Sequence, residues 1–158
     1  MQQKLYTRLS SQQLSQLTEL WNQEYPAQLQ HRDPLSLKSY LHTLPHPEHI
    51  LLLENGVICG WLFTFDREED RWFGMMVRRE QQGKGLGRQL LEEAMKREPH
   101  LNGWAVDVAG YQKADGSAYS SPLPFYLRMG FKVIPGERFE TEALSTVKIV
   151  WSRSDQKG

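Results

Sequence analysis

A glycine-rich turn that joins a strand to a helix constrains a chain more tightly than any overall statistic, and this chain has one in Val77-Arg78-Arg79-Glu80-Gln81-Gln82-Gly83-Lys84-Gly85-Leu86-Gly87-Arg88. Upstream, Trp72 to Val77 is an apolar run of strand length. Downstream, Leu86, Leu90, Leu91, Ala94 and Met95 form a helical stripe that Pro99 closes, with Glu92/Lys96 and Glu93/Arg97 as supporting i,i+4 pairs. A helix start leaves backbone N–H groups without intrahelical acceptors and carries a partial positive charge, and glycines let those donors approach a ligand unobstructed. The turn is expected to bind a phosphorylated ligand. Two familiar phosphate loops do not fit. No Gly-x-x-x-x-Gly-Lys-Ser/Thr string exists, and a dinucleotide fingerprint read from Gly83 meets Arg88 where its last glycine belongs.

The remaining segments alternate between strand and helix periodicities. Leu5 to Leu9 reads as a short strand, and Ser10 with Gln13 forms a capping-box pattern ahead of a helix from about Ser11 to Glu24. Asp33-Pro34 opens a second helix through Leu37, Tyr40, Leu41 and Leu44, which Pro45 stops. His49–Leu53 and Val57–Phe65 are apolar runs joined by Glu54-Asn55-Gly56, a hairpin signal, and the turn Asp66–Asp70 extends the meander into Trp72–Val77. Trp104–Ala109 reads as a strand, Pro124–Met129 as a short helix ended by Gly130, and Phe131–Ile134 and Val147–Trp151 as the last strands. The result is one mixed α/β domain over residues 1–153, followed by a tail, 154–158, expected to fray. The polar stretch Gly110–Leu123 is long for a connection, and such loops are often functional.

Composition limits the partners. Among 158 residues, 19 Lys and Arg balance 19 Asp and Glu, so there is no basic excess to embrace nucleic acid and any anion must be met locally. The longest clean apolar run, Ile50–Leu53, is far too short to cross a bilayer, and the first residues lack a signal-peptide core, so a cytoplasmic protein without a membrane partner is expected. The only cysteine, Cys59, excludes an internal disulfide, and its neighbours Val57, Trp61 and Phe63 favour an inert buried thiol. His42, His46 and His49 straddle Pro45 and Pro47, which break the helix that would aim them at one ion, so no metal is expected.

The turn also matches Gln/Arg-x-x-Gly-x-Gly/Ala through Gln82, Gly85 and Gly87. Together with Val77, Glu80, Gly83 and Lys84 in register, it resembles the GNAT superfamily of acyl-CoA-dependent N-acetyltransferases. Arg79, Gln81 and Gln82 depart from the commoner Pro, Tyr and Arg. A second segment, Pro124-Phe125-Tyr126-Leu127-Arg128-Met129-Gly130-Phe131, is similar to the family's Phe-Tyr-x-x-x-Gly-Phe box and falls in the right order. The resemblance covers nearly the whole chain. It implies a mixed, mostly antiparallel twisted sheet of about six to seven strands with about four helices.

The resemblance further implies acetyl-CoA as acyl donor and a primary amine as acceptor, reacting directly in a ternary complex without a metal or a nucleophilic residue. The cofactor residues it points to are Met76 and Val77, whose strand edge would meet pantetheine, and Gln82, Gly83, Lys84, Gly85, Leu86, Gly87 and Arg88 at the pyrophosphate. A fixed N–H at Met76 or Val77 could stabilise charge developing on the thioester oxygen. Tyr126 occupies the family's general-acid position. For the base, Asp107 is the conspicuous carboxylate in an apolar run, with Asp66, Glu68, Glu69 and Asp70 as alternatives in the preceding turn. The loop with Tyr111, Tyr119 and Ser121 is expected to cover the acceptor or acyl site. The family includes many dimers, and the last strands could pair between copies. The rival reading is a non-catalytic acyl-CoA-binding module.

Overall fold

The computed structural model describes residues 1–156. Its strands are β1 (Gln2–Tyr6), β2 (Glu48–Glu54), β3 (Val57–Arg67), β4 (Asp70–Val77), β5 (His100–Val106), β6 (Lys132–Glu140) and β7 (Ser145–Ser152). The helices are α1 (Ser11–Glu24), α2 (Pro34–His42), α3 (Leu86–Arg97) and α4 (Leu123–Arg128). The strands form one sheet in the order β1-β2-β3-β4-β5-β7-β6, antiparallel throughout except at β4–β5. This is the expected mixed, mostly antiparallel sheet with four helices. Among the described residues no helix is long and apolar enough to cross a membrane.

Local chemistry accounts for the element boundaries. The Ser10 hydroxyl accepts from the Gln13 N–H at 3.1 Å while the Gln13 side chain accepts from the Ser10 N–H at 2.8 Å, satisfying two otherwise orphaned donors. Asp33 caps α2 through the Ser36 N–H at 2.9 Å. Asn55 and Gly56, at φ 52° and 79°, make the tight β2–β3 turn.

Each face of the sheet carries its own core. Leu14, Leu17, Leu20, Trp21, Leu37 and Leu41 of α1 and α2 close over Leu51, Trp61, Phe63 and Met76, while Leu86, Leu90, Leu91 and Ala94 of α3 close over Leu52, Leu62, Phe73 and Ile149 on the other side. Leu17, Leu20, Leu90 and Leu91 are wholly buried, each worth about 1.5–3 kcal/mol relative to exposure. Cys59 is buried too, its thiol facing the Val57 carbonyl.

Several boundaries differ from expectation, among them β6, which continues past Ile134 to Glu140, and α2, which ends at His42 before Leu44. β1 starts at Gln2 and ends at Tyr6 because its register with β2, Gln2 opposite Leu53 to Tyr6 opposite His49, is set by the neighbour, not by its own polar sequence. β5 runs His100–Val106, the span that pairs with β7, and so stops before Asp107. Arg153–Gln156, in the stretch expected to fray from residue 154, forms a 3-10 turn whose Gln156 amide reaches the Gly130 carbonyl; residues 157 and 158 lie outside the described residues.

Candidate active site

The single parallel junction of the sheet shapes the site. β4 and β5 share one residue pair, Trp72 opposite Asn102, reinforced by the Asn102 side chain donating to the Arg71 carbonyl at 2.9 Å. No further pair joins Phe73–Val77 to Gly103–Val106, so the two strands splay towards their C-terminal ends. The phase of β4 follows from antiparallel pairing. The Arg78 N–H donates to the Cys59 carbonyl at 2.8 Å, so by alternation Trp72, Gly74 and Met76 turn their peptide groups to β3, and Met75 and Val77 turn theirs to the splay. Of the pair singled out from sequence, Val77 therefore lies on the open edge. Met76 does not: its peptide faces β3 and its side chain is buried against the α1–α2 layer. Two carbonyls on the open edge have polar neighbours, Val77 with the Gln82 side-chain amide at 2.9 Å and Met75 with the Tyr25 hydroxyl at 3.5 Å.

After β4 a 3-10 turn, Arg79–Gln81, leads into the glycines. Gly83 and Gly85 sit at φ 81° and 80°, where a side chain costs about 1 kcal/mol or more, and a Cβ on either would meet nothing within 4 Å. Backbone conformation, not crowding, demands glycine there. Gly87 is different: its Cβ would lie 3.2 Å from the Phe125 ring, so the start of α3 packs against α4 and the two sequence boxes touch. From Gly83 to Arg88 the backbone N–H groups have no acceptor among the described residues, and Gly85 caps α3 without a side chain. Such a cradle fits a pyrophosphate. Lys84 and Arg88 are exposed beside it, Arg88 held by Glu92 at 2.8 Å, and Leu86 is buried as the anchor of the first turn.

Gln82 spends its side chain on the protein itself, donating to Val77 and, at 3.4 Å, to Glu24. Glu24, the last residue of α1, is buried and accepts from the Arg79 N–H at 2.8 Å and from the Lys113 ammonium at 2.9 Å. Sequence reasoning passed over Glu24, although it falls on the apolar stripe Leu17, Leu20, Trp21 at helical spacing, where a carboxylate must find partners.

Tyr126 lies in α4 at 6% exposure, its ring edge-on to Phe73 at 5.6 Å and to Phe131 at 5.5 Å. Burial, with the Tyr119 hydroxyl as a smaller influence, raises its pKa well above 10. Tyr119 is pushed up to about 12 by burial, and Tyr25 is raised by burial and by the hydroxyls of Tyr126, Tyr119 and Tyr40. The phenols of Tyr25, Tyr119 and Tyr126 all stay protonated at neutral pH, and the Tyr25 hydroxyl reaches the Met75 carbonyl on the open edge. Tyr25 was missed in the sequence because it follows α1 in a polar connection.

Asp107 sits just beyond the end of β5, not at the centre of an apolar strand. Both its oxygens accept from Arg138, each at 2.9 Å, and these bonds hold its carboxyl below the ordinary range. Arg138 also binds Glu140 at 3.0 Å and Ser145 at 2.6 Å. A carboxylate so paired is a weak base. The alternatives lie at the wrong end: Asp66 binds Arg71 at 2.9 Å, Glu68 and Glu69 form the β3–β4 turn, and Asp70 begins β4, roughly 23 Å along the strand from Val77. Of the three grouped histidines, His46 is exposed and binds Asp66, His49 is buried, and His42 ends α2. Among the described residues no group of three His, Cys, Asp or Glu is arranged to hold a metal ion.

Comparison with known proteins shows the family and the fold. Residues 46–133 match the profile of the acetyltransferase (GNAT) domain, and the chain belongs to that family. Among solved structures, it is similar to an aminoglycoside 6'-N-acetyltransferase complexed with coenzyme A (TM-score 0.73, 10% identity, 97% of each chain). It is also similar to an acyl-CoA N-acyltransferase from Pseudomonas aeruginosa (TM-score 0.71, 15% identity, 96% of this chain and 99% of the other). The ribosomal-protein-S18-alanine N-acetyltransferase from Escherichia coli shares the fold at TM-score 0.64 and 17% identity, over 96% of this chain and 94% of its own. No curated protein matches by sequence.

Proposed function

We propose that the protein transfers an acetyl group from acetyl-CoA to a primary amine by direct attack in a ternary complex. The observation that carries this reading is the run of N–H groups from Gly83 to Arg88, without acceptors of their own, placed beside the open edge of β4. The cofactor supplies the acyl group as a thioester, activated for attack by an amine. The cradle holds the pyrophosphate through backbone donors, with Lys84 and Arg88 at its rim. Along the splay, Met75 and Val77 offer peptide groups to the pantetheine amides, and an N–H on that edge faces the negative charge that builds on the carbonyl oxygen. Tyr126, kept protonated by burial, gives its hydroxyl proton to the departing sulfur.

Asp107 has the part of an anchor for β6 in this reading, since Arg138 neutralises it. The acceptor amine then arrives unprotonated or loses its proton to solvent. Of the exposed carboxylates near the last strands, Glu137 pairs with Lys148 and Glu140 with Arg138. Release of coenzyme A thiol from acetyl-CoA across a panel of amines tests the reading. At least one amine is expected to turn over, and Tyr126→Phe to lower its kcat by about 100-fold, the usual range for a general acid. Cofactor binding without turnover of any amine would favour a non-catalytic acyl-CoA-binding module.

A further inference from the structure

We propose that residues 110–123 form a strap across the mouth of the β4–β5 splay, and that the buried Glu24–Lys113 ion pair makes the position of this strap depend on the cofactor turn. The inference rests on the reading above, in which that turn takes a pyrophosphate-bearing ligand. The strap is fastened on both sides of the splay. On the β5–β7 side, the Ser121 hydroxyl donates to the Val106 carbonyl and the Ser145 N–H donates to the Tyr111 hydroxyl at 2.8 Å. On the α1 side, the Ala27 N–H donates to the Gln112 carbonyl at 2.8 Å and the Lys113 ammonium meets Glu24 at 2.9 Å. Between these points Gln112 bridges to Ala118 and the Lys113 N–H donates to the Ser117 carbonyl at 2.8 Å, so the strap is a small hairpin, not a slack connection.

The ion pair is the fastening that reaches the cofactor turn. The Lys113 and Glu24 side chains are 12% and 5% exposed, a depth at which either charge alone would be costly, so each holds the other in place. Glu24 uses both oxygens: Oε1 takes Lys113 and the Gln82 amide, and Oε2 takes the Arg79 N–H. A second thread runs from the Arg79 guanidinium to Asp115 at 2.7 Å and Ser117 at 3.0 Å, at the tip of the strap. Arg79 opens the 3-10 turn that leads to Gln82, and Gln82 directly precedes the six N–H groups of the cradle. A ligand seated there restrains both residues, and through them Glu24, Lys113 and the tip. Ordering one side lowers the entropy cost of ordering the other, and the coupling is reciprocal. The strap carries the half-buried Tyr119, whose N–H donates to the Tyr111 carbonyl at 2.9 Å. Glu24 and Lys113 are accordingly positioning residues that fix the strap beside the splay when the cofactor turn is filled.

Hydrogen exchange of the full chain, with and without coenzyme A, tests the coupling. In the wild type, saturating coenzyme A is expected to slow exchange of the 110–123 amides by about tenfold or more. Lys113→Met should lose that slowing and, because the coupling is reciprocal, bind coenzyme A more weakly by up to the same factor in calorimetry, and Lys113→Arg should restore both. Arg79→Ala keeps the backbone donor to Glu24 and removes only the exposed thread, so it should lose the slowing at 115–117 even if the buried variant folds poorly. Bound coenzyme A with no effect on the strap, or full slowing in both Lys113→Met and Arg79→Ala, would overturn the inference and leave the acyltransferase reading standing. Failure of the wild type to bind coenzyme A would overturn both.

Discussion

At the scale of single residues, the buried polar groups make the sharpest statements. His49 is 3% exposed and accepts from the Trp61 indole N–H at 3.1 Å through Nδ1, and burial lowers its pKa from 6.5 to about 4. Unfolding therefore favours protonation of this ring. Its contribution to stability is whole above pH 6.5 and drains away as pH falls towards 4, to a total of about 3 kcal/mol. Urea titrations at pH 7 and pH 4.5 should show the loss, and His49→Asn, which keeps an acceptor but cannot titrate, should flatten it; an equal acid loss in the variant would assign the effect elsewhere. Residues also mark where the sequence stopped being readable. The turn glycines were legible as a strand-to-helix turn because their positive φ depends on near neighbours. Asp107 was not, because what decides its character is Arg138, 31 positions away and brought to it only by the β6–β7 pairing. Glu24 was readable in principle from its place on an apolar stripe, but its partners at Arg79 and Lys113 come from two other elements.

Among the elements, the hairpins were read well from their turn residues and the lone parallel junction was not read at all. Asn55-Gly56 announces the β2–β3 turn, and the Phe-Tyr box announces α4, but nothing in β4 or β5 says that they meet only at Trp72 and Asn102. That geometry comes from side chains crossing between strands. A Cβ on Gly103 would sit 2.8 Å from the Phe73 ring, so the ring lies over β5 where only glycine leaves room. The β3–β4 hairpin poses a different problem. Its two turn residues, Glu68 and Glu69, adopt φ 54° and 60°, a conformation that suits Asn and Gly and costs other residues about 1 kcal/mol each. The paired substitutions Glu68→Asn and Glu69→Gly are expected to stabilise the chain by about 1 kcal/mol, seen as a rise in Tm of a few degrees. Since the turn lies at the far end of β4 from the cradle, coenzyme A affinity should not change. A lowered Tm would show that the glutamates are held there by something other than turn geometry.

For the molecule as a whole, zero net charge is compatible with the proposed anion site because its donors are backbone groups concentrated in one turn. Affinity built this way should respond weakly to ionic strength. Raising salt from about 50 to 500 mM is expected to weaken coenzyme A binding by less than about tenfold in calorimetry, since most donors of the turn are backbone groups and Arg88 beside them is already paired to Glu92. A loss of several orders of magnitude would move the binding energy onto a charged surface. The burial of Cys59, finally, bears on how the chemistry can be watched. The proposed acyl transfer from acetyl-coenzyme A to an amine liberates one thiol per turnover, and the protein's only thiol is sealed at 3% exposure inside β3. A thiol-trapping reagent will thus count product against a silent enzyme, and a cysteine introduced at the tip of the strap would be the sole label to report its motion.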